Sequence, residues 1–368
     1  MQNPEYDNRG GIINVDVEKK ENNFSAKERK GYTFLESLLL KYSPKINYLL
    51  DENGRYKCRK LKFPPVIRIG PTNRCTARCF YCPREYIHDK GSGYMEWEMY
   101  KSIVDQAKIG GADKISFALF GEPLLHPRII DMLAYAKRAG LKIGLSTNGI
   151  ILTKSLADKI IDLKLETFEC SMDGYTRKEF MAGKQVDKYE QAKNNLLYLF
   201  KRAEEQKSQT VYNVHFVDIG HVSLKNKIRF IKYWSKKLER LKSMTGFYYE
   251  PHNWAGTRDY LRKQMNFFDR ILTKISFKKP CMYIKGININ YNGDVYVCTN
   301  DPTEKAIIGN IKRNSIEEIY NGEKREKFLK ENEQGAFQDV NCNICTANTV
   351  LPLSFIKKRI INLFAKML

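Results

Sequence analysis

Cys75-Thr-Ala-Arg-Cys79-Phe-Tyr-Cys82 is the stretch from which the rest of the chain can be interpreted. Its three cysteines are spaced C-x3-C-x2-C and follow the apolar run Pro65-Val-Ile-Arg-Ile-Gly70, a pattern typical of a turn after a strand. Three thiolates can fill three iron corners of a four-iron cluster and leave the fourth iron open to a ligand. Zinc is the alternative, but it normally takes four ligands in paired groups, and no fourth ligand lies nearby. The spacing therefore favours an iron–sulfur cluster with chemistry at its open corner.

Length and composition indicate a folded protein with more than one domain. The 368 residues leave room for two domains of roughly 150 residues each. Hydrophobic residues make up 42% of the chain, which is well above the level of a disordered protein. No apolar run approaches the ~20 residues needed to cross a bilayer, and the polar N-terminus does not fit a secretory signal. We therefore expect a cytoplasmic protein.

The formal net charge of +21 implies attraction to an anionic partner, which leaves nucleic acid, acidic lipid and a phosphorylated substrate open. No base-stacking or groove-reading module is recognisable, so a nucleic-acid partner is not expected. The C-terminal stretch Phe355–Leu368 interleaves bulky apolar and basic residues. This stretch predicts either a terminal helix docked on the protein or a peripheral contact with an anionic membrane surface.

From Val66 onward, strand-like runs alternate with amphipathic helical stretches. The strands are predicted at 66–69, 114–120, 142–147, 167–171, 211–217 and 246–249. The helices between them are predicted at 97–108, 128–139, 154–163, 188–205 and 225–241. This alternation predicts an α/β fold whose parallel sheet is joined by right-handed crossovers.

With the aromatic Tyr81 directly before its third cysteine, the motif resembles the signature of the radical S-adenosylmethionine (SAM) enzymes. The resemblance implies a partial (β/α)6 barrel with its active site at the C-terminal ends of the strands. It also implies that the open iron of a [4Fe-4S] cluster at Cys75, Cys79 and Cys82 chelates SAM. One electron then cleaves SAM to methionine and a 5′-deoxyadenosyl radical, and a reductant such as flavodoxin or ferredoxin is expected to supply that electron. In such an enzyme, the protein is expected to bind, orient and shield this cofactor chemistry.

Three polar motifs follow the predicted second, third and fourth strands. Gly121-Glu122-Pro123 resembles the Gly-Gly-Glu-Pro motif of the family, which binds the SAM amino group, although Phe120 stands in the place of the first glycine. The stretches at 146–149 and 171–174 are typical of strand-to-helix turns, and the resemblance implies that they line the SAM carboxylate and ribose. The SAM contacts predicted in this way are Tyr81, Gly121, Glu122, Pro123, Ser146, Asn148, Ser171 and Asp173.

The fifth and sixth strands offer candidates for proton transfer. His215 lies within the fifth strand, while Glu250 and His252 follow the sixth. Each is a candidate catalytic base on reach alone, although a histidine inside a strand is more often a hydrogen-bonded core residue. His126, next to Pro127, is expected to fix its loop before the following helix, because Pro favours the first turn of a helix.

A second cysteine group marks the C-terminal part of the chain, with Cys281, Cys298, Cys342 and Cys345. Alternating residues around the Asn292-Gly293 turn predict a hairpin between the first two of these cysteines. The arrangement C-x11-G-x4-C followed by C-x2-C resembles the SPASM/twitch extensions of radical SAM enzymes. The full SPASM pattern has more cysteines and holds two auxiliary clusters, so the resemblance implies one auxiliary [4Fe-4S] cluster here. Zinc in the same four thiolates is the alternative.

These observations divide the chain into four parts: an N-terminal extension with one helix at 1–60, a radical SAM core at 61–274, a small α+β twitch/SPASM-like cluster domain at 275–350, and a basic amphipathic helix at 351–368. The expected function is that of a radical SAM oxidoreductase that passes an electron to the auxiliary cluster. The twitch-type resemblance favours a small alcohol or an amino-sugar-like molecule as substrate. Peptide or protein maturation and a catalytically silent metal-binding scaffold at a membrane or partner are the alternatives.

Overall fold

A computed structural model of the chain describes residues 61–83, 86, 91–217, 220–243, 247–249, 277–278, 286–303, 305–334 and 349–350, with two short strands at Glu5–Tyr6 and Ile12–Ile13. Several predictions fall outside these residues. They are the helix within 1–60, the helix at 351–368, and the site residues Glu250, His252, Cys281, Cys342 and Cys345.

Six parallel strands form the centre of the described structure. They are β1 (Val66–Ile69), β2 (Lys114–Phe117), β3 (Lys142–Thr147), β4 (Thr167–Ser171), β5 (Val211–Val217) and β6 (Phe247–Tyr249). Each strand pairs with the next in parallel register, which confirms the predicted α/β barrel topology. The second strand was predicted to reach Phe120 but ends at Phe117, because the backbone turns at Leu119 and Gly121, both with φ of 93°.

Helices cover the outer face of these strands. They are α1 (Trp97–Ile109), α2 (Ile129–Arg138), α3 (Lys154–Asp162), α4 (Arg177–Lys184), α5 (Tyr189–Glu205) and α6 (Leu224–Lys237). Apolar side chains at helical spacing, such as Leu196, Leu199 and Phe200 of α5, are buried against the sheet. Helix α4 was not predicted, although the capping box between Thr176 and Glu179 is a sequence signal for a helix start. No described helix is both long and apolar enough to cross a membrane.

The C-terminal segment continues the same sheet. Strands β7 (Ile287–Ile289) and β8 (Asp294–Tyr296) form the predicted hairpin, and β9 (Ile307–Asn310) pairs antiparallel with β8. Strand β7 also pairs in parallel with β1, so these nine strands form one sheet of order β9-β8-β7-β1-β2-β3-β4-β5-β6. Helices α7 (Ile316–Asn321) and α8 (Glu323–Gln334) follow β9. Backbone hydrogen bonds therefore cross the domain boundary placed between residues 274 and 275.

The two faces of the sheet differ in chemistry because side chains alternate along each strand. The outer face carries large buried apolar side chains, such as Phe117, Phe168 and Tyr212, against the helices. The inner face carries polar side chains at the alternate positions. One inner row joins Ser146, Glu169 and Asn213 in direct register, and the next row toward the C-terminal ends pairs Ser171 with His215.

Candidate active site

The cysteine loop begins where β1 ends, and two buried side chains fix its base. The Thr72 hydroxyl donates to the Gly93 carbonyl at 2.6 Å, and the Asn73 amide donates to the Gly91 carbonyl at 2.7 Å. Both side chains are almost fully buried. Hydrogen bonds of this kind fix the backbone of an irregular segment, so Cys75 starts from a defined position.

The three thiols of the loop fit an iron–sulfur cluster by donor type and surroundings. Cys75, Cys79 and Cys82 are half-buried and form no disulfide. The Cys75 Sγ accepts from the backbone N–H of Ala77 at 3.4 Å and from the Asn148 amide at 3.6 Å. Such donors to a sulfur are among the features that tune iron–sulfur clusters. Among the described residues, no three His, Cys, Asp or Glu side chains converge closely enough to hold a single metal ion.

A buried polar group, here called the loop clamp, holds the cysteine loop against the barrel and consists of Tyr81, Ser171, Asp173 and Lys184. The Asp173 Oδ2 accepts from the Tyr81 hydroxyl at 2.6 Å and from the Lys184 ammonium at 2.9 Å. Its Oδ1 accepts from the Ser171 hydroxyl at 2.7 Å and from the backbone N–H of Val217 at 3.0 Å. The clamp therefore joins the cysteine loop, the end of β4, α4 and β5 through one carboxylate.

Backbone hydrogen bonds reinforce the clamp. The N–H groups of Arg78 and Phe80 donate to the carbonyls of Lys184 and Gly183, each at 2.9 Å. These carbonyls lie in the last turn of α4, where a helix leaves acceptors unsatisfied. The missed helix α4 thus supplies both a side chain and a backbone docking site for the loop that carries the cysteines.

Electrostatics in the clamp favour charged Asp173 and Lys184. Burial alone would raise the pKa of Asp173, but the Lys184 ammonium and the hydroxyl donors outweigh burial and hold that pKa below its usual range. Burial raises the pKa of the Cys79 thiol to about 11, and the Lys184 ammonium opposes this rise. An ammonium near Cys79 suits a site whose ligands must be thiolates.

Glu122, a predicted SAM contact, connects the ends of β2 and β3. Its carboxylate accepts from the Thr147 hydroxyl at 2.7 Å and from the backbone N–H groups of Asn148 and Leu124 at 2.7 and 3.1 Å. Burial raises the pKa of Glu122, while these donors lower it. A carboxylate has about four acceptor positions, so a small part of its capacity remains for a ligand ammonium.

Close packing fixes the positions of Gly121 and Pro123, the other two residues of the Gly121-Glu122-Pro123 motif. Gly121 has φ of 93°, and a Cβ at that position would lie 2.1 Å from the Thr72 carbonyl oxygen. Only glycine fits there, because other residues combine an unfavourable conformation with this clash. Pro123 is buried at the start of a short 3-10 turn. The Gly121 backbone therefore lies directly against the base of the cysteine loop.

Ser146 and Asn148 lie on the same side of the barrel as the cysteine loop. The Asn148 amide donates to the Thr76 hydroxyl at 3.1 Å as well as to Cys75. The Ser146 hydroxyl donates to Glu169 Oε2 at 3.2 Å. The structure thus brings Tyr81, Ser171 and Asp173 together in the clamp, and Asn148 against Cys75. Their roles in binding SAM stay predictions.

His215 is buried on β5 beside Ser171. Burial lowers the pKa of His215 to about 4; the Asp173 carboxylate opposes this shift and the Lys184 ammonium adds to it. The imidazole is therefore neutral near pH 7, and its role as a base stays a prediction. His126 is different, since its ring nitrogens contact the Met95 carbonyl at 3.0 Å and the Arg128 N–H at 3.1 Å. These contacts are those of a loop-fixing residue.

The buried neutral His215 predicts a loss of stability in mild acid. In the unfolded chain, His215 takes up a proton below its ordinary pKa of 6.5, whereas in the folded protein it does so only near pH 4. The unfolded state then binds more protons, so the free energy of unfolding decreases as the pH is lowered. This group alone reduces it by about 2 kcal/mol at pH 5. We expect urea unfolding from pH 8 to pH 5 to show a smaller decline in the His215→Gln variant. Parallel declines in both proteins would contradict this.

Cys298 is the described member of the second cysteine group. It is half-buried, and its Sγ accepts from the Asn300 N–H at 3.3 Å. The buried Asp301 carboxylate orders the following turn by accepting from the Thr303 and Ala306 N–H groups. Strand β8 runs antiparallel to β7, and β7 is parallel to β1. Cys298, which follows β8, therefore lies near the N-terminal end of β1, whereas Cys75 follows its C-terminal end.

Sequence reasoning missed two charged residues of this region, Lys184 and Glu169. Lys184 ends a helix that the alternation pattern did not reveal. Glu169 lies within the fourth strand and in phase with Ser171, so strand alternation alone would have placed it on the inner face. The signal available in the sequence was that Glu169 is a charged residue within a run that otherwise reads as a strand.

Two family models match the chain. The model described as the radical SAM superfamily matches residues 69–216, and the model described as an iron-sulfur cluster-binding domain (SPASM) matches residues 281–346. The first range contains Cys75, Cys79 and Cys82, and the second contains the whole second cysteine group. The two domains imply a SAM-binding [4Fe-4S] cluster and an auxiliary cluster.

Two relatives differ in how much of their length is matched. The tungsten-containing aldehyde ferredoxin oxidoreductase cofactor-modifying protein of Pyrococcus furiosus is 35% identical over 103 residues, which are 28% of this chain and 29% of the relative. The chain thus matches less than a third of that relative. The S-adenosyl-L-methionine-dependent 2-deoxy-scyllo-inosamine dehydrogenase of Niallia circulans is 23% identical over 294 residues, which are 77% of this chain and 94% of the relative.

Solved structures share the fold at low sequence identity. SuiB of Streptococcus suis, bound to its precursor peptide SuiA, has a TM-score of 0.56 at 13% identity, with 84% of this chain and 83% of that chain covered. BtrN in complex with AdoMet and 2-DOIA has a TM-score of 0.52 at 19% identity, with 78% and 94% covered. Because both models match in the predicted order and their ranges contain the predicted cysteines, this chain contains a radical SAM domain followed by a C-terminal SPASM domain.

Proposed function

We propose that the protein is a radical SAM oxidoreductase that oxidises a small alcohol or an amino-substituted cyclic polyol. When bound, SAM supplies a 5′-deoxyadenosyl radical and the auxiliary cluster accepts one electron. One observation carries the proposal. The relative named as a SAM-dependent dehydrogenase matches along 94% of its length, so the similarity extends well beyond a shared cysteine motif.

Different residues of this chain would have different roles in such a reaction. Cys75, Cys79 and Cys82 would hold the SAM-binding cluster on a loop that the clamp fixes to the barrel. The polar inner face would bind a hydrophilic substrate, while the apolar outer face only packs against helices. Cys298, which follows β8 of the same sheet, would be one of the ligands of the auxiliary cluster. Rigid placement of reacting groups is the main contribution that a protein makes to cofactor chemistry.

The proposal is tested with 2-deoxy-scyllo-inosamine carrying deuterium on its carbinol carbons. Anaerobically reconstituted protein, SAM and dithionite are expected to give 5′-deoxyadenosine that contains deuterium and a carbonyl product. A set of cysteine- and serine-containing peptides is incubated in parallel. A mass change in a peptide, with unlabelled 5′-deoxyadenosine in the aminocyclitol reaction, would overturn the proposal in favour of peptide maturation.

A further inference from the structure

A carboxylate lies on the inner face of the barrel, one row of side chains below the cysteine loop. Glu169 is two residues before Ser171 on β4, so the two side chains point to the same face. Ser171 belongs to the loop clamp, which also contains Tyr81 of the cysteine loop. Glu169 is half-buried, and among the described residues the one side chain that donates to its carboxylate is Ser146, at 3.2 Å. Glu169 thus retains acceptor capacity toward the barrel interior.

The next strand places a second acceptor beside this carboxylate. Asn213 is paired in register with Glu169 and is 5% exposed. Its Oδ1 atom is buried without a hydrogen-bond partner in the described structure. Buried polar atoms are almost always hydrogen-bonded, and an unmade bond costs free energy, so this oxygen indicates a missing donor. Glu169 and Asn213 together form a pair of acceptors on one row.

Cations lie below this pair. Lys114 reaches from β2 across β3 to the Thr167 hydroxyl on β4, with an N–O distance of 3.1 Å. It passes over Gly144, where a Cβ would lie 2.9 Å from the Lys114 Cε atom. The Lys114 ammonium and the Arg68 guanidinium both favour ionised Glu169, but burial outweighs them and raises the pKa of Glu169. A carboxylate in this setting is a stronger base than one in water.

We propose that Glu169 and Asn213 bind the hydroxyl or ammonium donors of the substrate and that Glu169 is the catalytic base of the oxidation. This inference rests on the proposed function. Glu169 would take the proton of the substrate hydroxyl. Bound SAM would supply the 5′-deoxyadenosyl radical that takes a hydrogen atom from the carbon bearing this hydroxyl, and an auxiliary iron–sulfur cluster would supply the acceptor for the remaining electron. An alcohol thereby becomes a carbonyl compound, and two electrons and two hydrogens are accounted for.

The chemistry of the site defines the substrate class. Two acceptors side by side recognise donors, and an ionised carboxylate binds an ammonium more strongly than a neutral hydroxyl. A polyol with an amino group close to the reacting hydroxyl satisfies both acceptors at once. Ser146 is a positioning residue in this arrangement, because its hydroxyl fixes one oxygen of Glu169.

The test compares Glu169→Gln with the control Glu166→Gln, which removes the same charge from an exposed position just before β4. Binding of 2-deoxy-scyllo-inosamine to reconstituted protein with SAM is measured by calorimetry. We expect binding at least tenfold weaker in Glu169→Gln and unchanged in the control. We also expect carbonyl product to form about 100-fold more slowly, a common contribution of a general base. Deuterium transfer to 5′-deoxyadenosine should persist at saturating substrate, because hydrogen abstraction precedes proton loss.

The outcomes separate this inference from the proposed function. Wild-type protein that does not bind the aminocyclitol, or equal affinity in wild type and Glu169→Gln, overturns the acceptor site. Weaker binding with an unchanged rate of product formation at saturation overturns the role as base. Binding that depends on Glu169 without carbonyl formation in the wild type overturns the proposed oxidation and leaves the acceptor site standing.

Discussion

Replacing Cys75, Cys79 and Cys82 together by alanine is expected to lower the iron content of reconstituted protein from about eight atoms per chain to about four, since each [4Fe-4S] cluster contributes four. Formation of 5′-deoxyadenosine from SAM is expected to stop completely. The thiolates of the loop are predicted to supply three of the iron ligands, and no other described cysteine lies in that loop. Iron, sulfide and 5′-deoxyadenosine are measured in the same preparation.

Cys170 provides the matched control for this experiment. Its thiol is fully buried on the outer face, and a Cβ at Gly149 would lie 2.9 Å from its sulfur. Cys170→Ala is therefore expected to keep the full iron content and the cleavage of SAM. Unchanged iron in the triple variant would contradict the assignment of the loop. Wild-type protein with about four irons and zinc in the remaining cysteines would remove the proposed electron acceptor.

Replacing Lys184 by methionine is expected to destabilise the protein by about 3–5 kcal/mol, the range typical of removing one partner of a buried ion pair. Lys184 and Asp173 have side chains that are 3% and 0% exposed, so the variant leaves a charged carboxylate in the interior. Urea unfolding of the apoprotein measures the effect without any contribution from the cluster. In reconstituted protein, we also expect a broadened electron paramagnetic resonance signal of the reduced cluster, because the clamp no longer fixes the loop.

Two further variants make this prediction specific. Lys178→Met removes an exposed lysine from the same helix and is expected to change stability by less than about 0.5 kcal/mol. The double variant Asp173→Asn/Lys184→Met is expected to recover part of the loss, since no uncompensated charge remains. Equal unfolding midpoints for Lys184→Met and Lys178→Met would show that the clamp contributes nothing to stability.

The fold was largely predictable because its signals are local. Strand β3 and strand β4 occupy the predicted residues, since apolar runs flanked by turn residues specify where a strand begins and ends. The radical SAM domain was predictable for the same reason, because its three motif cysteines lie within eight consecutive residues. Helix α4 was missed because its sequence is short and polar, although its capping box marked the start.

The remaining features depend on contacts between distant parts of the chain. No local pattern shows that β7 pairs with β1, because the two strands are more than 200 residues apart in sequence. In the same way, the partner of Asp173 is a lysine from a helix that the prediction lacked. The register that places Glu169 beside Asn213 appears only when β4 and β5 are aligned. The neighbours of charged residues on the inner face, and hence their roles, can therefore be inferred only from the tertiary structure.

The pairing of β7 with β1 has a consequence for how the chain can be divided. A protein shortened at the boundary between the two family domains would lose β7, β8 and β9 together. The backbone groups along β1 that pair with β7, such as the Gly70 N–H that donates to the Ile289 carbonyl at 2.9 Å, would then form a bare edge of an apolar strand. Exposed edges of this kind recruit strands from other molecules. A chain truncated at this boundary is therefore expected to aggregate more readily than the full chain.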